Sequence, residues 1–277
     1  MLGAIVGDIV GSRFEFMSFK GMDFDLFNHK CFFTDDSVMT LAVAKAIMET
    51  EKAYPCLSAG KELDESYLQV LEKKTVGWMQ KIGRLYPSCG FGGMFLKWIF
   101  SDDPKPYNSF GNGAAMRVSP AGFAARSEKE AVALAGAVTK TTHNHPEGLK
   151  GAEATAVAIY LARMREPKEK IKKKMEEYYD LDFTIEAIRR TYLFNESCQE
   201  TVPQALECFL EAHSFENAIR LAISLGGDSD TLAAIAGGIA EAYYGVPGEI
   251  KGKALSYLEG YLLDVYREWE EFVKGIH

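Results

Sequence analysis

The 277-residue chain predicts an all-α fold, and three observations lead there. Apolar residues recur at spacings of three and four through eight stretches, the period of one helix face. Those stretches are rich in alanine and hold few β-branched runs, which favours helix. No segment alternates apolar and polar residues at period two over a useful length.

Taken in order, GAIVGDIVG opens the chain with Gly3, Gly7 and Gly11 at i, i+4 spacing. That pattern predicts a tightly packed first helix whose glycine face admits a neighbouring backbone. Helical stretches are then expected over 36–50, 62–82, 127–141, 148–165, 201–212, 214–225, 231–244 and 252–273. Between them, Tyr86 to Gly93, Asp102 to Gly113 and Val246 to Gly248 are Gly- and Pro-rich connections. The one charge run, EPKEKIKKKMEEYYDLD (166–182), mixes lysine with glutamate and predicts a solvated surface helix. No connection has the composition of a long linker, so residues 1–277 are expected to form a single domain.

Composition narrows the function. The chain is 47% hydrophobic and 25% charged, ordinary for a globular protein with a sizeable core. Its formal net charge of −8 argues against general nucleic-acid binding. Five cysteines form no CxxC and no even framework, as expected of free thiols in a reducing compartment. The apolar N-terminus lacks a basic n-region and is interrupted by Asp8, unlike a signal peptide. No stretch reaches the roughly 18 apolar residues of a membrane span. A cytoplasmic location follows as the expectation.

Two short clusters carry the chemistry. Thr34-Asp35-Asp36-Ser37 leads into one helical stretch, and Asp228-Ser229-Asp230-Thr231, preceded by Gly226-Gly227, leads into another. Thr, Ser and Asp are good N-caps, and acids suit the first turn of a helix. A cap needs one such side chain, however, and each cluster supplies four. Carboxylates converging without a counter-ion would be costly, and this oxygen-rich set suits hard divalent cations. EF-hand spacing is absent. Glu15 follows the first helix in a Phe-flanked segment, where apolar surroundings can tune an acid for proton transfer. Tyr107 to Arg117 is a Gly/Asn loop whose backbone N–H groups could hold phosphate, although Gly-Asn-Gly is also an ordinary turn. Cys89-Gly90-Phe91-Gly92-Gly93 has the same ambiguity. His143 lies in a polar THNHPEG loop without zinc-ligand spacing.

Together, GAIVGDIVGSRFE, FTDDSVMT, SFGNGAAMRVSP, THNHPEG and GGDSDTLAAIAGGIAEAYYG span residues 3 to 245, and the chain resembles the ADP-ribosylglycohydrolase family. The resemblance implies a compact helical bundle with two Mg²⁺ or Mn²⁺ ions in a central cleft. By motif match it assigns Thr34, Asp35, Asp36, Asp228, Asp230 and Thr231 as metal ligands. Glu15 matches a mobile acid near the metals, and Glu15, Asp35 and Asp36 become the candidate catalytic residues. Ser109, Gly111, Asn112 and Gly113 match a diphosphate and ribose cradle. Gly92 and His143 complete the expected substrate contacts. The implied reaction is hydrolysis of the bond between C1″ of ADP-ribose and an acceptor on a protein or small conjugate, by a monomer. The alternatives are a non-catalytic ADP-ribose-binding module, a crystallin-like structural homologue and a metal phosphoesterase. The acceptor is not encoded in these motifs.

Overall fold

The computed structural model describes residues 1–276. Among them are fifteen helices: α1 (Leu2–Gly11), α2 (Asp35–Ala53), α3 (Glu65–Gly83), α4 (Gly93–Ile99), α5 (Gly113–Met116), α6 (Ser119–Ala124), α7 (Glu128–Thr139), α8 (Pro146–Arg163), α9 (Lys168–Met175), α10 (Ile185–Ile188), α11 (Cys198–Glu211), α12 (Phe215–Ser224), α13 (Ser229–Tyr244), α14 (Gly248–Leu255) and α15 (Gly260–Ile276). The described residues hold no strand. Their extended pairing is limited to one antiparallel bridge between Gly111 and Ser197. The fold is all-α and compact, as the periodicity predicts.

Its centre is the antiparallel pair α1 and α13. Every residue of α1 is buried. A Cβ at Gly3 would lie 2.0 Å from the carbonyl oxygen of Gly237, and one at Gly7 2.0 Å from that of Ala233. The two backbones are therefore in direct contact, which only glycine permits. One turn further, Gly11 lies against the backbone of Asp230. The end of α1 is thus fixed at the start of α13. The other end is tied by the Met1 amine, 2.6 Å from the Glu241 carboxylate. Helices α8, α11 and α12 pack around α13, while α2 packs on α3 and α15.

Local chemistry explains where the elements begin. Asp64 accepts the Tyr67 N–H (2.8 Å) to start α3, Ser127 accepts the Glu130 N–H (3.2 Å) to start α7, and Ser214 accepts the Asn217 N–H (3.1 Å) to start α12. Two expectations need correction. The stretch 252–273 is not one helix: α14 starts after Pro247 and stops at Leu255, and α15 begins at Gly260. Between them Leu258 is buried, and the Tyr257 hydroxyl donates to the Asn28 carbonyl (2.8 Å) while its ring stacks on Phe27. These anchors draw the chain off the helix axis, and glycine at the restart weakens continuation. Within 166–182 only Lys168–Met175 is helical. Its Lys168 is not a solvated side chain but donates to the carbonyls of Phe209 (2.9 Å) and Leu210 (3.0 Å) at the end of α11, where a cation is favoured.

Candidate active site

The start of α2 is organised by a residue on α1. Asp8 is fully buried, and its carboxylate accepts four donors from the first acidic cluster. The Thr34 N–H (2.9 Å) and Ser37 N–H (3.0 Å) reach Oδ2, as does the Ser37 hydroxyl, and the Thr34 hydroxyl reaches Oδ1 (2.6 Å). Thr34 also caps the helix, accepting the Asp36 N–H at 3.3 Å. The cap reading of this cluster therefore holds for Thr34, which leaves Asp35 and Asp36 for other work.

In the second cluster the N-cap residue makes no capping bond, and the Thr231 N–H goes to Asp230 Oδ1 (3.0 Å). Asp228 stands at the N-cap position of α13, yet its Oδ2 accepts from the Asn112 side chain (2.7 Å). Two successive left-handed residues, Gly226 (φ +64) and Gly227 (φ +70), turn the chain into this position. Consecutive left-handed residues need glycine. The turn swings Asp230 and Thr231 toward α2, where the Thr231 hydroxyl donates to Asp36 Oδ2 (3.2 Å) across 195 positions of sequence.

The two clusters and the loops meet at a cavity of about 550 Å³. Glu15, Asp35, Asp36, Asp228, Asp230, Thr231, Gly92, Ser109, Gly111, Asn112, Gly113 and His143 all line it. Of the sequence-predicted site residues only Thr34 stays behind the wall, buried and bonded to Asp8 and Asp36. Ligand oxygens of Asp8, Asp36 and Asp230 lie within 4.8 Å of one another, as do those of Glu15, Asp228 and Asp230. Asp230 belongs to both groups, and Asp35 to neither. Because four donors occupy Asp8, we regard it as the organiser of the cluster rather than a free ligand.

Glu15 is brought in by its loop. Phe14 beside it packs on Phe19 (ring centroids 4.7 Å) and Phe24 (5.0 Å). Lys20 ties the same loop to the carbonyls of Tyr192 (2.7 Å) and Leu225 (2.5 Å). The Gly-Asn-Gly loop is also pinned: the Asn112 N–H donates to the Glu196 carbonyl (2.7 Å), and the Cys198 N–H to that of Phe110 (3.0 Å). It leads into α5, a single turn rather than a substantial helix.

The electrostatics are those of crowded acids short of positive charge. Burial raises every carboxyl pKa in the cluster. Asp8 is pushed up to about 6, its four hydrogen bonds offsetting part of the burial cost. Glu15 rises to about 7 through burial and the charges of Asp228, Asp8 and Glu196. Asp35 rises to about 8 through burial beside Asp8 and Asp228. Asp36 and Asp230 are held well above the ordinary range by burial and their acidic neighbours. Only Arg117 and Lys97 bring positive charge to the described cavity lining. Asp36 Oδ1 is buried and makes no hydrogen bond among the described residues. An orphaned carboxylate oxygen among converging all-oxygen donors fits a hard divalent cation.

Among the charged residues that shape the site, Asp8 beneath the cavity and Arg117 and Glu196 in its lining escaped the sequence-based assignment. Asp8 had one visible signal, a lone acid between glycines on an apolar helix. Arg117 closes the SFGNGAAMR motif, yet nothing in the sequence shows that it is buried. Glu196 had no signal, because the Gly111–Ser197 bridge alone carries it to the cavity.

Comparison with known proteins gives a consistent family. The chain is 24% identical over 315 residues to human ADP-ribosylhydrolase ARH3, covering 89% of this chain and 84% of that protein. It is 26% identical to the bovine ARH3, over 77% of this chain and 71% of that protein. A solved structure described as an ADP-ribosylglycohydrolase-related protein complex superposes with a TM-score of 0.66 at 24% identity, covering 99% of this chain and 95% of that one. The family model for ADP-ribosylglycohydrolase matches residues 1–274. With that match spanning nearly its whole length, the chain belongs to the ADP-ribosylglycohydrolase family.

Proposed function

We propose that the protein is a divalent-cation-dependent hydrolase that cleaves the glycosidic bond between C1″ of ADP-ribose and an acceptor, working as one domain on an ADP-ribosylated protein or small conjugate. The observation that carries this reading is the convergence of Asp36, Asp228, Asp230 and Glu15 on one cavity whose wall is the Gly111–Gly113 loop. Family membership and the similarity to ARH3 supply the substrate class.

Asp35, Asp36, Asp228, Asp230 and Thr231 would hold two cations, Mg²⁺ or Mn²⁺, with Thr34 supporting them from behind through Asp36. When bound, the cations supply positive charge that orders ribose hydroxyls and makes a nearby water more acidic. The remaining roles fall to side chains and backbone. Ser109, Gly111, Asn112 and Gly113 bind the diphosphate and ribose, and amide donors offset the phosphate charge in an acidic protein. Asp35 orients the attacking water. Glu15 Oε takes its proton, and a carboxyl tuned near neutrality suits that step. The C1″–acceptor bond breaks through an oxocarbenium-like transition state as the water oxygen bonds to C1″; the acceptor leaves with a proton from solvent, and Glu15 returns its own to solvent, so that one water is consumed.

The test is a panel of ADP-ribosyl conjugates on arginine, serine, a nucleobase and O-acetyl groups, assayed with Mg²⁺ and with Mn²⁺. Release of ADP-ribose from at least one member, lost on exhaustive chelation, is expected. Full turnover after chelation would rule out cation dependence. Calorimetric binding of ADP-ribose with no release from any conjugate would instead identify a binding module.

A further inference from the structure

His143 sits at the cavity wall with each ring nitrogen in a different environment. Its Nδ1 faces away from the cavity, 3.1 Å from an Arg117 terminal nitrogen and 2.7 Å from the Thr142 hydroxyl. The same Arg117 nitrogen donates to the Thr142 hydroxyl oxygen at 2.6 Å. Arginine has donors only and stays protonated. A proton on Nδ1 could reach the Thr142 oxygen but would face the Arg117 donor 3.1 Å away. Left unprotonated, Nδ1 accepts through its one lone pair, shared between the Arg117 and Thr142 donors. The ring's single proton then resides on Nε2, the nitrogen nearest the Gly111–Gly113 loop. A Cβ at Gly113 would lie 3.2 Å from Nε2, and one at Gly111 3.6 Å. Among the described residues Nε2 bonds to no protein acceptor, so its proton is available to the cavity.

We propose that Arg117 is a positioning residue which, with Thr142, locks His143 as the neutral Nε2–H tautomer and aims that proton at a phosphate oxygen of a ligand seated on the Gly111–Gly113 loop. Arg117 is itself 1% exposed, and its guanidinium lies over the Phe95 ring at 5.2 Å. It cannot swing away, and the tautomer is set by the fold rather than by the ligand. Burial and the Arg117 charge hold the imidazole pKa well below its ordinary value, which keeps the ring neutral. A neutral donor suits a site already dense in carboxylates, since an imidazolium would pair with them in place of the phosphate. The phosphate part of this inference rests on the ADP-ribose reading above, whereas the tautomer does not.

Nitrogen-15 NMR of histidine-labelled full-length protein reads the tautomer directly, without ligand. At neutral pH the His143 ring is expected as Nε2–H, and Nδ1–H or a doubly protonated ring would overturn the proposal. In R117Q the guanidinium donor is lost, and the Nε2–H form should give way to a mixture. ADP-ribose should then bind about tenfold more weakly, as when one hydrogen bond to a charged group is lost. R117K keeps a cation and should preserve the tautomer. T142V is a milder second variant should R117Q not fold, and a mixed tautomer is expected in it too. An unchanged tautomer in every folded variant would refute the positioning role. If ADP-ribose fails to bind a wild-type protein that shows the Nε2–H form, the ligand assignment fails and the tautomer lock stands.

Discussion

Replacing Asp8 separates scaffolding from charge at the centre of the site. Asp8→Ala and Asp8→Asn remove the same negative charge, so relief of repulsion with Asp35 and Asp36 is common to both. They differ in hydrogen bonding. Asparagine can keep its amide oxygen at the Oδ2 position, where the Thr34 N–H, the Ser37 N–H and the Ser37 hydroxyl all donate. Its NH₂ group then faces the Thr34 hydroxyl, which can rotate to accept and send its own proton toward Asp36 Oδ2 at 3.5 Å. Alanine keeps none of this and orphans two buried backbone N–H groups. At about 1–3 kcal/mol for each unsatisfied donor, Asp8→Ala should be less stable than Asp8→Asn by about 2–6 kcal/mol. Urea unfolding followed by far-UV circular dichroism, in chelator, measures the difference. A gap under about 1 kcal/mol, below the cost of even one unsatisfied donor, would refute the assignment of Asp8 as the organiser of α2.

Other consequences follow from the same geometry. Gly7→Ala drives a methyl into the Ala233 backbone, 2.0 Å from its carbonyl oxygen, and should cost at least about 1–3 kcal/mol in thermal or urea unfolding; Gly77→Ala, where a Cβ meets nothing within 4 Å in the interior of α3, should stabilise by about 0.5–1 kcal/mol. The acids carry a pH signature. Asp8, Glu15 and Asp35 hold protons more tightly folded than unfolded, with values of about 6, 7 and 8. The contribution of these acids to the stability of the cation-free protein should therefore be fully present below the ordinary carboxylate range and be lost as pH rises through about 8. Excess Mg²⁺ should raise the melting temperature more at the alkaline end than at the acidic end, and equal shifts throughout would count against a carboxylate cation site. Glu15→Gln should lower kcat by about 10²–10⁴ while leaving the circular dichroism spectrum unchanged, because Glu15 works in proton transfer rather than in packing.

Most of the site was legible in the sequence, and what was missed has a common cause. Composition and spacing pointed to the Asp35–Asp36 and Asp228–Asp230 pairs because surplus acids at a helix start are conspicuous against the needs of capping. The glycine period of α1 pointed to a close backbone approach, although its partner on α13 was not identifiable from the spacing. Asp8, Arg117 and Glu196 act through partners distant in the chain, and no local pattern marks such pairings. Asp8 draws its meaning from Thr34 and Ser37, Arg117 from His143, and Glu196 from one bridge to Gly111. The break between α14 and α15 escaped for the same reason. The periodicity of 252–273 is helical, and tertiary anchors at Tyr257 and Leu258 override it. Local propensity sets where helices can form, and packing decides where they stop.

If the two acidic clusters build one dinuclear cation site, Mn²⁺ bound to the chelator-stripped protein reports on it directly. Titration followed by electron paramagnetic resonance should give two ions per chain with the spin-coupled spectrum of close neighbours, and Asp230→Asn, which touches both groups of ligand oxygens, should abolish the coupling. A single uncoupled ion, or wild-type binding in Asp230→Asn, would contradict the shared site.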